Sequence, residues 1–241
     1  MANNQFLVSV ANAIVRDPNS GSAIAYGTTN LTSAFTLTTQ KTDVRGGINN
    51  PLLYTYIHDR TVEVKIEEAT FDKVYLGLNV GDLVENGSVS VTQTDCITLS
   101  SGSGVLSGSA TTDPVNLFLS DGTIAVVTPV SGSVFFYAAG SSTMVTAVYK
   151  TMVASDQITV QTITPPSVVD LTLIGEVRDN TGVIIEYLQI NIPRFQVSGN
   201  YTLSFAANGV STQALDGYAL ETASTDCTSG AYYAKVTWVP A

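Results

Sequence analysis

The sequence predicts an all-β protein, β-sandwich or barrel-like, with one short flanking α-helix. Three observations carry the prediction. Alternating runs rich in Val, Thr and Ser recur along the chain. Turns bearing Gly, Asn or Asp punctuate them at intervals of about ten residues. Only one segment has a helical period.

Composition sets the frame. The 241 residues are 44% hydrophobic and 12% charged, where soluble domains average about 25% charged. The length suits one large β domain or two smaller ones and buries a sizeable core without staples. Twenty carboxylates against ten Lys plus Arg give a net charge of −10. A nucleic-acid reader needs a basic surface, and Lys41, Arg45, Arg60 and Lys65 form the only loose cationic cluster. Met1 to Phe6 carries no basic-then-apolar leader, and no apolar run approaches the ~20 residues of a membrane span. No membrane partner is expected.

Phe6–Val10 and Ala13–Arg16 read as strands, followed by the turn cluster Asp17–Ser22. Ala23–Tyr26 reads as a hairpin partner, and Ser33–Thr39 is another alternating run. Residues 40–54 show no period and hold Arg45-Gly46-Gly47 and Asn49-Asn50-Pro51, a cluster that opposes regular structure. A catalytic lid, a binding loop or an arm reaching a neighbouring subunit would each account for such a stretch. Thr61–Glu67 alternates strictly, with Val62, Val64 and Ile66 on one face and Glu63, Lys65 and Glu67 on the other. Phe71, Val74, Tyr75 and Leu78 then follow at helical spacing. They predict a helix over about 69–79, capped near Gly81, with Gly77 costing it about 1 kcal/mol against Ala.

The stretch 88–153 is Gly/Ser-punctuated β, with a hairpin at Asp121-Gly122 and a turn-rich run at 100–110. It is expected to be an inserted Ig-like sandwich module. The tube-forming domain assigned below is then 1–87 plus 154–241. Beyond Pro165-Pro166, two long runs flank a turn at Asp179–Gly182. The runs 200–206 and 231–239 complete the chain, and Asp216-Gly217 reads as a hairpin turn.

Little here supports catalysis. Acid–base and nucleophilic chemistry lean on imidazole, and the one histidine, His58, reads as an exposed polar residue at a strand entry. No ligand spacing for a metal, no phosphate loop and no dinucleotide fingerprint occurs, so no cofactor and no enzymatic activity are expected. The sequons at Asn30, Asn86 and Asn200 have meaning only in a secreted chain. Cys96 and Cys227 read as buried free thiols, with a single disulfide between them as the alternative.

Two blocks carry a resemblance. "DVRGGINNPLLYTYIHDRTVEVKIEEATFDKVYLGLNVG" (43–81) resembles phage major tail tube proteins, in which an Arg-Gly-Gly arm leads to an alternating strand and a helix closing on Gly. The second block, 165–209, holds "VVDLTLIGEVRD" and "LQINIPRFQVSGNYTLSFAANG" in the matching order. The resemblance implies a virion protein of the tail, assembled in the host cytoplasm. Its long hairpins would join those of neighbours into a closed barrel, in hexameric rings stacked into the tube. Other tail proteins are the implied partners, and genomic DNA passes through the lumen without specific binding. On that basis residues 40–58 are an assembly arm, ordered on meeting its neighbour. Its contact residues are Arg45, Gly46, Gly47, Asn49, Asn50, Pro51, Tyr54 and Tyr56, with Arg45 meeting a carboxylate across the interface. Glu63, Glu67, Glu176 and Asp179 are the candidate lumen-facing acidic residues, suited to DNA that must slide rather than adhere.

Two other readings stay open. A head decoration protein would form closed oligomers without axial growth. A carbohydrate- or surface-binding module would expose clustered aromatics on loops, whereas Trp238 and Phe135-Phe136-Tyr137 lie in strand-like runs and are expected in the core.

Overall fold

A computed structural model describes residues 5–110, 113–138, 144–202, 212–222 and 230–241. In chain order its elements are β1 (Phe6–Arg16), β2 (Ala23–Gly27), β3 (Asn30–Arg45), β4 (Leu52–Glu68), α1 (Lys73–Val80), β5 (Glu85–Thr98) and β6 (Ser103–Val105). There follow β7 (Val115–Leu119), β8 (Ile124–Val127), β9 (Val134–Phe136), β10 (Met144–Gln157), β11 (Val168–Arg178), β12 (Ile184–Val197), β13 (Gln213–Ala219) and β14 (Lys235–Pro240). The protein is all-β with one helix, as the alternation predicts. It divides into two compact units, Met1–Val84 with Ile158–Ala241, and Glu85–Gln157.

The first unit is one antiparallel sheet in the order β2-β1-β11-β12-β13-β4-β3. The free edge of β12 is shared: Phe195–Val197 pair with β13, while Glu186–Asn191 pair with β14. A bulge between Val8 and Asn12, where Ser9 has φ 79°, bends β1. The sheet rolls until its far strand returns to β1. There the Ala11 N–H donates to Ser33 Oγ at 3.0 Å, and Asn30 Nδ2 donates to the Ala11 carbonyl at 2.7 Å.

Alternation decides what fills the roll. Ala13 and Val15, Val62, Val64 and Ile66, Leu171 and Leu173, then Ile192, Phe195 and Leu215 point inward and are buried. Each large one contributes about 1.5–3 kcal/mol. The run at 200–206 falls mostly outside the described residues, and the final run contributes β14.

Helix α1 begins later than its apolar period predicts. Asp72 caps it by accepting from the Val74 N–H at 2.8 Å, which leaves Phe71 outside and exposed. Tyr75 and Leu78 enter the core. Burial, and then the nearby Glu68 carboxylate, push the Tyr75 phenol well above its ordinary pKa. Gly77 is no defect, because a Cβ there would come within 2.7 Å of the Asp82 carbonyl oxygen. Gly81 ends the helix in the left-handed region at φ 82° and donates to the Gly77 carbonyl at 2.8 Å.

The second unit holds a sheet β5-β10-β7-β8 and the pair β6-β9. The predicted turn-rich run at 100–110 thus contains a strand. Leu117, Phe135, Val145 and Tyr149 lead its separate core. Tyr149 donates to Asp95 at 2.8 Å and accepts from the Gly108 N–H at 2.9 Å. Burial pushes the Asp95 carboxyl up, but bonds from Ser107, Tyr149 and Gln93 outweigh it and hold the pKa below the usual value. Cys96 alternates away from this core and is exposed, against the buried thiol expected. Cys227, and any bond to it, lies outside the described residues.

Two tests follow from this architecture. Gly81→Ala would put a Cβ onto the Pro165 carbonyl oxygen at a left-handed position. The expected loss is about 2–4 kcal/mol in urea denaturation, from backbone strain and overpacking together. Strands β5 and β10 pair along their whole length, down to Glu85 with Gln157. Replacing 86–156 by an Asn-Gly turn is therefore expected to leave a first unit that unfolds cooperatively, with circular dichroism still that of a β protein.

Candidate assembly surface

Beyond the body of the sheet, β3 and β4 continue alone. The pairing of β13 with β4 stops at Tyr218 with Glu63, whereas β3 and β4 stay paired from Leu37 with Val62 to Arg45 with Leu52. The result is a two-stranded ribbon about 25 Å long at strand rise. The stretch 40–54, where the sequence shows no period, is the greater part of it. Its period is hidden because polar and apolar residues occupy both faces, and neither face is buried by the described residues. His58 lies within the ribbon rather than at a strand entry.

Local bonds hold the ribbon's shape. His58 stacks on Tyr56 at 5.6 Å between centroids, and its ring contacts Thr42 Oγ1 at 2.9 Å and Asp59 at 2.8 Å. Thr55 donates to Asp43 at 2.9 Å, and Arg45 reaches the same carboxylate at 3.5 Å. A bulge at Asp59, φ 46°, adds twist. The end turn, Gly46 to Pro51, needs left-handed backbone at Gly47, Asn49 and Asn50, residue types that tolerate it. Gly46 donates to the Pro51 carbonyl at 3.2 Å. Ile48 is 92% exposed, and Leu53, Tyr54 and Tyr56 are all more than half exposed. A lone hairpin is marginal in water, and a large exposed apolar patch marks an interaction site.

The four acidic candidates separate into three settings. Glu63 and Glu67 share the outward face of β4 with Lys65, which pairs with Glu63 at 3.1 Å. Asp216 stands opposite Lys65 in β13, a neighbour that sequence reasoning missed by reading Asp216-Gly217 as a turn. Gly217 is instead mid-strand because a Cβ there would meet the Gln196 carbonyl and the Phe195 ring. Burial raises the Asp216 pKa and Glu63 and Glu67 add to it, with Lys65 opposing. Hydrogen bonding to Glu63 and its charge raise the Lys65 pKa in turn.

Glu176 is held by Arg178 at 2.6 Å. Asp179 organises the β11–β12 turn, accepting from Thr181 N at 2.8 Å, Thr181 Oγ1 at 2.7 Å and Val183 N at 3.0 Å. The Thr181 bond leads in lowering its pKa. Among the described residues no group of three metal-ligating side chains converges, and no helix is long and apolar enough to cross a membrane.

A rolled sheet that carries an exposed apolar ribbon has the form of an interaction surface. The chain belongs to the YomU/Tube protein family, whose model matches residues 5–234. It is a phage tube-related structural protein, a component of the virion tail, and the family points to a non-enzymatic role. No curated protein matches it.

The carboxylate cluster makes a pH prediction. A carboxyl whose folded pKa exceeds its unfolded value binds its proton more tightly when folded, so stability falls as pH rises through that window. Asp216→Asn is expected to be more stable than the parent chain at pH 7. The difference should vanish below about pH 4, near the unfolded carboxyl pKa. Thermal melts across pH 3–8 check this.

Proposed function

We propose that the chain is the repeating subunit of a phage tail tube, self-assembling into stacked hexameric rings around the channel for genome delivery, with no catalytic role. One observation carries the reading: the β3–β4 ribbon leaves the body of the sheet with both backbone edges free and apolar side chains on show. Unpaired edges invite pairing with other chains, and a closed ring of identical chains removes them. Arg45, the Gly46–Pro51 turn, Tyr54 and Tyr56 are the contact residues in this reading. The family match supports a tube, and the excess of carboxylates suits a lumen that DNA passes without adhering. Of the acidic candidates, Glu63 and Glu67 are the best suited to line it, because with Asp216 they outnumber the one nearby ammonium. Glu176 and Asp179 are occupied within their own chain.

Deleting residues 42–52 tests the reading. Lys41 and Ile57 stay paired, and 53–56 become the new loop. The expected product keeps subunit stability to within about 1 kcal/mol, since the excised part packs on no core. It should form no tubes by negative-stain microscopy at concentrations where the full chain does. Normal tubes from the deleted chain would refute the assigned role.

A further inference from the structure

The fork at β12 leaves a second surface uncovered. Trp238, expected in the core, stands 60% exposed on β14 directly opposite Leu188, with Val236 beside it opposite Ile190. Residues paired across a ladder share a face, so both side chains extend the inward face of the sheet past the end of the core. A groove of about 300 Å³ lies between β1, β3, β11 and β12, lined chiefly by Leu7, Phe35, Leu173, Leu188 and Ile190, the last two being the ladder partners of Trp238 and Val236. Leu7 is 64% exposed at its mouth. Glu186 lies two residues before Leu188 on the same face, and it makes no ion pair among the described residues.

Resting on the assembly reading above, we propose that this groove receives the tip of the β3–β4 ribbon from a second copy of the chain. Arg45 of the incoming ribbon pairs with Glu186 at the groove's edge. Three features of the molecule fit this occupant. The ribbon presents eight large apolar side chains, each 46–92% exposed. Five of them, Val44, Ile48, Leu52, Leu53 and Tyr54, flank or sit in the end turn and match an apolar lining. The charges complement each other: residues 38–62 carry Lys41, Arg45 and Arg60 against Asp43 and Asp59, on a chain whose net charge is −10. Arg45 has only a 3.5 Å contact with Asp43 to give up. The contact is also head-to-tail, ribbon to groove, so an open assembly keeps one ribbon and one groove free at its ends and growth continues.

Engineered cysteines and a charge swap test the pairing, both in the full chain with Cys96→Ser and Cys227→Ser. Oxidising an assembly that carries Leu53→Cys and Trp238→Cys is expected to give a ladder of covalent oligomers. Leu53→Cys with Tyr26→Cys, an exposed site on β2, should give none. Arg45→Glu and Glu186→Arg each alter an accessible side chain and are expected to slow assembly at least tenfold, as followed by light scattering. The double variant should recover most of the rate. Tubes that form at the parental rate in both single variants, with no ladder, would overturn the pairing while leaving the assembly reading intact. A covalent dimer from Trp238→Cys alone would assign the groove to a groove-to-groove contact and overturn it too. A chain that stays monomeric at every concentration would remove the assembly reading itself, and this pairing with it.

Discussion

The architecture of the first unit hangs on the way β12 divides one edge between two partners. Backbone donors and acceptors along a strand must all be paired or solvated, and β12 meets that demand with β13 at one end and β14 at the other. The β13 branch runs on through β4 and β3 and wraps the core. The β14 branch stops after one strand. The inward face of the first branch is covered at Val62, Val64, Ile66 and Leu215, while the inner face of the second lies open at Trp238 and Val236. The ribbon arises from the same division, because β13 is short and β3 and β4 outrun it.

Alternation made the buried body of the fold legible in sequence. Val62, Val64 and Ile66 keep a strict period because one face of the strand is sealed and the other is not. The same rule explains the failures. Residues 40–54 show no period because none of the described residues buries either face, so no selection for one apolar side is written there. Asp216-Gly217 mimicked a turn because Gly was needed for close approach of β12, a tertiary demand invisible in a dipeptide. Trp238 looked like core because it lies in a strand-like run; the fork leaves it exposed among the described residues. Phe135 and Phe136 divide as alternation requires, one buried and one exposed.

The candidate site was read less fully than the fold. The sequence located the turn residues and the acidic strand face, but it could not separate Glu63 and Glu67, gathered with Asp216, from Glu176 and Asp179, satisfied by Arg178 and Thr181. That distinction depends on which strands become neighbours. A ladder register supplies it, and a run of single-strand patterns does not.

The pairing of β1 with β11 has a consequence for how the chain is made. Phe6 finds Arg178, and Arg16 finds Asp170, so the N-terminal strand waits while more than half the polypeptide leaves the ribosome. During that interval the whole Glu85–Gln157 unit holds its strand partners in already synthesised chain, whereas β4 still lacks β13. The body of the first sheet has to close late, through contacts between residues far apart in sequence, a slow step during which open strand edges are vulnerable to aggregation. The inserted unit is thus a finished fold while its host is still open.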